Sequence, residues 1–182
     1  MRSWLTGRTY TRIAASIYGS IVASARQSTF YAAWGVPDQR EGRFEMLALH
    51  IALVMKRIAR AEPNGAALSR AISEAFVVDM DDNMREIGIG DLAVPRKVKK
   101  AAAALFDRHR DYGAALDAGD STALAAAISA ALAGAGATDK LDSTSLSGYT
   151  ERLWGALRVT SDQDCVAGTL PLPYPAASST IV

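Results

Sequence analysis

Q-R-E-G-R-F-E-M-L-A-L-H-I-A-L-V-M-K-R-I-A-R-A, residues 39–61, is the stretch that decides the fold. Phe44, Leu47, Ala48, Ile51, Val54, Met55 and Ile58 recur at three- and four-residue steps, so they share one face of a helix. Met46, Leu49 and Leu53 make much of the remaining surface apolar too. A helix that is apolar nearly all round is covered on several sides. Lys56, Arg57 and Arg60 stand in its last turns, where cations suit the helix dipole. Asp38, with Glu41 three residues on, resembles a capping box at its start. The stretch therefore predicts a central buried helix that other elements must enclose.

The flanking sequence supplies those elements, and all of them read as helices. Tyr10, Ile13, Ala14, Ile17, Ile21 and Ala25 predict a helix over Thr9–Arg26. A short one follows from Ser28, its expected cap, to Trp34, and Gly35 ends it. Glu62-Pro63-Asn64-Gly65 breaks the chain after the central helix. An acidic helix over Ala66–Ile87 then buries Ile72, Phe76, Met80, Met84 and Ile87. Gly88 and Gly90 end it, and Pro95 suits the first turn of the next helix. That helix runs to about Leu116 and buries Val98, Ala102, Leu105, Tyr112 and Leu116. Asp120-Ser121-Thr122 caps an alanine-rich helix to Ala133, and a last helix covers Thr144–Leu157. From Val159 onward Ser, Thr, Gly and the prolines Pro171, Pro173 and Pro175 replace periodicity. The expectation is an all-α fold: a flexible lead over 1–8, one compact domain over 9–158 and a disordered tail over 159–182.

Composition narrows the function. A chain of 182 residues is long enough to bury a real core. Its net charge of +1 points to no nucleic-acid or membrane partner through bulk charge, so electrostatic recognition must come from local patches. The single cysteine, Cys165, excludes an internal disulfide framework and fits a reducing compartment. No apolar run reaches the ~18 residues of a membrane span. The opening M-R-S-W-L-T-G-R-T-Y lacks a continuous apolar segment, so no signal peptide is expected and the protein reads as cytoplasmic.

Chemistry-bearing motifs are not found. There is no P-loop, no G-x-G-x-x-G and no nucleophile elbow. The carboxylates Asp79, Asp81, Asp82 and Glu86 lack the Glu-x-x-His partners of a helical di-metal site. His50 on the central helix reads as a hydrogen-bonded core histidine, and His109 as structural. Cys165 has no histidine nearby in sequence, which argues against a nucleophile. No catalytic residue, cofactor or metal is expected.

What does stand out is a change of charge sign within E-A-F-V-V-D-M-D-D-N-M-R-E-I-G-I-G-D-L-A-V-P-R-K-V-K-K, residues 74–100. Asp79, Asp82 and Glu86 fall on one narrow strip of the acidic helix. Arg96, Lys97, Lys99 and Lys100 crowd the opening of the next, where cations oppose the dipole at ~0.3–1 kcal/mol each. Either the two clusters neutralise each other across the turn, or they frame a partner surface with the apolar residues Ile89, Leu92 and Val94 between them. No aromatic residues interleave with the cations, so specific nucleic-acid binding is not expected.

Two blocks carry a resemblance. I-Y-G-S-I-V-A-S-A-R-Q-S-T-F-Y-A-A-W-G-V-P-D (17–38) continues into G-R-F-E-M-L-A-L-H (42–50), and D-M-D-D-N-M-R-E-I-G-I-G-D-L-A-V-P-R-K-V-K-K occupies 79–100. In combination they resemble the ubiquinol–cytochrome c chaperone family, assembly factors of the cytochrome bc complex, over about residues 10–115. The resemblance implies an all-helical, non-enzymatic chaperone whose client is a newly made subunit, cytochrome b in mitochondrial members, some of which act at the ribosome with a small partner protein. It implies a bacterial-type protein at most peripheral to the inner membrane, on its cytoplasmic face, and it transfers no catalytic residues. Ala101–Ala104 stand where bulkier residues are expected, so the client groove differs. Two other readings remain open: a ribosome- or RNA-associated protein using the basic helix opening, and a helical metal- or cofactor-dependent enzyme.

Overall fold

The computed structural model describes residues 3–175, and its order of elements is α1 (Ser3–Ala25), α2 (Ser28–Ala32), α3 (Arg40–Ile58), α4 (Gly65–Glu86), α5 (Val94–Ala118), α6 (Ser121–Gly134), α7 (Ser143–Val159) and α8 (Asp162–Ala167). Among the described residues there is no strand. None of these helices is long and apolar enough to cross a membrane.

The all-round apolar sequence of α3 has the consequence it predicts. Helices α1, α4, α5, α6, α7 and α8 all pack against it. Ile51 and Val54 of one face and Met46, Leu49 and Leu53 of the other are buried together, while Phe44 and Leu47 are only partly covered. Fully burying side chains of this size stabilises by ~1.5–3 kcal/mol each, so α3 is the main contributor to the core.

His50 is buried inside this core and fully satisfied. Its Nδ1 lies 2.7 Å from the Met46 carbonyl and its Nε2 2.6 Å from the Tyr149 hydroxyl. A neutral ring donating from Nδ1 and accepting the Tyr149 proton at Nε2 uses both nitrogens. Burial pushes the imidazole down to about 4, opposed by the bond to Met46. Phe30 seals the group, edge-on to Trp34 at 5.4 Å and to Tyr149 at 5.0 Å. Beside it, Arg108 of α5 grips Glu45 of α3 with two bonds of 2.8 Å, which fixes the register of the two helices.

Two glycines explain part of the G-V-P-D…G-R-F-E block. Gly35 sits at φ +69°, a left-handed conformation that other residues adopt at a cost. At Gly42 the first turn of α3 runs so close to the Pro37 carbonyl that a Cβ would collide with backbone.

Several local expectations are corrected. Neither Ser28 nor Asp38 caps a helix: the N-caps are Gln27 and Gln39, without side-chain bonds. Asp38 is taken instead by Arg43, Nε to Oδ1 2.6 Å. Asp120 does cap α6, and Asp142 caps α7. The chain is helical from Ser3, since extending a formed helix is cheap; residues 1 and 2 of the expected lead lie outside the described residues. The chain past Val159 is not disordered through 175. Ser161 caps α8, Cys165 is fully buried, and Leu170 and Leu172 pack on the core. Arg57 holds this segment through the Thr160 carbonyl and Asp162, at 2.5 and 2.6 Å. Residues 176–182 of the expected tail lie outside the described residues.

Candidate binding surface on the α4–α5 hairpin

The sequence of α4 carries more apolar residues than its core-facing stripe can bury. Ile72 and Phe76 are fully buried, but Val77 and Val78 follow directly and point away from the core, 38% and 59% exposed. In α5 the pair Leu105-Phe106 behaves likewise, because consecutive residues lie ~100° apart on a helix: Leu105 is buried and Phe106 is 52% exposed. The two helices leave a shallow groove of about 300 Å³, lined by Ser73, Glu74, Phe76, Val77, Val78, Ala102, Leu105 and Phe106. Ala102 is the small residue that opens it. Among the described residues seven large hydrophobics are exposed, and Val77, Val78, Ile87, Leu92 and Phe106 of them belong to α4, α5 or the turn between. The sequence marks Leu92 for this surface but not Val77, Val78 or Phe106, and Ile87, expected to be buried, is exposed. The signal for Val77, Val78 and Phe106 was an apolar pair where helical periodicity allows one buried member.

The two charged clusters do not neutralise each other across the turn. Asp79 accepts a 2.8 Å hydrogen bond from the Tyr18 hydroxyl of α1. Burial first, and then this bond, raise the phenol above its ordinary range. Asp82 and Glu86 follow Asp79 at three- and four-residue steps, so the acidic strip borders α1, whereas Ser73 and Val77 line the α5 side. Asp91 does not reach the cations of α5. It pairs with Arg85 at 2.6 Å, and Arg85 also holds Asp81 at 2.6 Å. Among the described residues no carboxylate lies within ion-pair distance of Arg96, Lys97, Lys99 or Lys100. All four cations are exposed.

The apolar residues of the turn separate as well. Val94 is fully buried, so it anchors the start of α5 and is removed from the contact surface expected of it. Leu92 is completely exposed, and Ile89 is partly covered. Lys99 precedes Ala102 by three residues and Phe106 by seven, which puts it on the groove side of α5.

Elsewhere, His109 has a backbone partner and Cys165 is buried in the core. His109 Nδ1 is 3.1 Å from the Ala52 carbonyl. Burial pushes the Cys165 thiol up, away from the thiolate a nucleophile requires. A second cavity of about 470 Å³ is lined by Arg26, Ser28, Tyr31, Ala32, Asp38 and Arg43. There Arg43 is already neutralised by Asp38 and lies over the Tyr31 ring at 5.8 Å.

The sequence profile described as "Ubiquinol-cytochrome C chaperone" matches residues 32–172. The match runs through α8, well beyond residue 115, where the sequence resemblance ends. A solved structure described as "Crystal structure of the Cbp3 homolog from Brucella abortus" is 38% identical, with a TM-score of 0.76 over 91% of each chain. No curated protein matches the chain. With most of its length matched by that profile, the chain belongs to the ubiquinol–cytochrome c chaperone family.

Proposed function

We propose that the chain is a non-enzymatic assembly chaperone of the ubiquinol–cytochrome c reductase, and that its α4–α5 groove holds an apolar segment of newly made cytochrome b. One observation carries this reading: the exposed large hydrophobics gather on the α4–α5 hairpin, where Val77, Val78 and Phe106 border a groove floored by Phe76 and Leu105. An exposed apolar patch on an otherwise well-packed domain marks an interaction site. A membrane subunit awaiting insertion exposes helices of matching chemistry. A groove between two helices takes an amphipathic or apolar helix through contacts at i, i+3, i+4 and i+7. Lys99 at the rim would meet a carboxylate or a carbonyl end of the client helix. The work takes place at the cytoplasmic face of the membrane, and the reading assigns no chemical step to any residue.

The test is capture of the tagged chain from membranes that are making the bc complex, with a strain lacking cytochrome b as control. Cytochrome b should co-elute from the first and the pair Val77→Asp with Phe106→Asp should abolish it. A ribosomal or small-protein companion would appear in the same eluate. Equal capture by the wild-type chain and the double variant would contradict the groove.

A further inference from the structure

The turn end of the same hairpin carries a second surface, independent of the groove. Leu92 is 100% exposed, and Ile87 at the end of α4 is 52% exposed. Directly after them α5 opens with Arg96, Lys97, Lys99 and Lys100, all exposed. The acids that could quench these cations are engaged or turned elsewhere. Asp81 and Asp91 share Arg85, and Asp82 and Glu86 lie on the strip of α4 that Asp79 turns toward Tyr18 of α1. The result is a turn that exposes Ile87 and Leu92 beside a run of unpaired cations, with the exposed Asp91 neutralised by Arg85.

We propose that this turn docks the protein on an anionic lipid surface, with Leu92 and Ile87 entering the headgroup region and Arg96, Lys97 and Lys100 meeting lipid phosphates. A lone leucine at a turn apex offers little to a protein pocket that a groove would not offer better. In a bilayer interface it is buried by lipid on every side, while lysine stems lie along the boundary and their ammonium groups stay with the phosphates. Single-stranded RNA is the poorer fit, because no aromatic side chain stands among the cations to stack on a base. Lys99 is left to the groove, so lipid and client use different sides of the start of α5.

The experiment is flotation of the purified full chain with phosphatidylcholine vesicles and with the same vesicles enriched in phosphatidylglycerol. Binding is expected only to the enriched vesicles, and it should weaken as salt rises. Lys97→Gln with Lys100→Gln should weaken it about thirtyfold, from the usual contribution of a basic residue near such a surface. Leu92→Ser should weaken it about tenfold, from loss of one inserted apolar side chain. All these positions are exposed, so the variants should melt as the wild type does, and either variant decides alone if the other misfolds. No binding to the enriched vesicles overturns the proposal. So does binding that both variants retain, or binding to homopolymeric RNA by a chain that ignores vesicles.

Discussion

Acid should weaken this fold well before its carboxylates titrate, because the His50 imidazole is buried neutral. Its value falls from 6.5 to about 4 on folding through burial. A histidine whose folded value is lowered contributes stability that is present above about 6.5. That contribution is lost as pH falls toward the folded value, because the unfolded chain takes up the proton and the native one does not. The full gap is worth roughly 3 kcal/mol, and about 2 kcal/mol of it is gone by pH 5. Asp117, Asp142 and Asp162 are held below the ordinary carboxylate range by hydrogen bonds, to Lys56 and Arg60, to Ser145, and to Glu62 N–H and Arg57. Their contributions are lost only below about pH 4, outside the window. Urea unfolding followed by far-ultraviolet circular dichroism at pH 7, 6 and 5 measures the effect, with His50→Gln as the companion chain. The wild type should lose about 2 kcal/mol between pH 7 and 5, and the variant, less stable at pH 7, should be nearly flat. An equally steep loss in the variant, or a flat wild type, would refute the assignment.

Other consequences follow from packing. Ile51→Ala removes a fully buried side chain and should cost about 2–5 kcal/mol, clearly more than Leu47→Ala, whose side chain is only partly covered; paired urea midpoints read the difference. Glu45→Ala leaves the Arg108 guanidinium without its two acceptors and should cost about 3 kcal/mol, the low end for a broken buried pair, since Arg108 at 25% exposure can reach water. Gly42→Ala forces a Cβ onto the Pro37 carbonyl and should lower the melting temperature far more than Gly155→Ala, where a Cβ meets nothing.

The core was legible because its signal is local. Seven apolar positions at helical spacing, with three more on the opposite side, specify a helix covered all round without reference to any partner. Helix caps were legible only where the aspartate had no competitor. Asp120 caps as expected, and Asp142, which the sequence did not single out, caps too, but Asp38 had Arg43 one turn away, and the ion pair took it. The segment after Val159 was misread because its anchoring is long-range. Arg57 reaches Thr160 and Asp162 across a hundred residues of sequence, and no periodicity reports that. The charge clusters of 74–100 were visible, but their pairing was not. Tyr18 claims Asp79 from α1, and Arg85 claims Asp91 across the turn. The groove escaped notice for the opposite reason: Val77, Val78 and Phe106 look like ordinary core residues until α4 and α5 are placed side by side.

The most direct test of the groove is a photo-crosslinking amino acid placed at Phe106, with the same group at Val159 as control. Val159 is exposed and apolar too, but it lies on α7, outside the groove. Irradiation during synthesis of the bc complex should give an adduct with cytochrome b from position 106 and none from position 159. An adduct of equal yield from both positions, or one from 159 alone, would contradict the account.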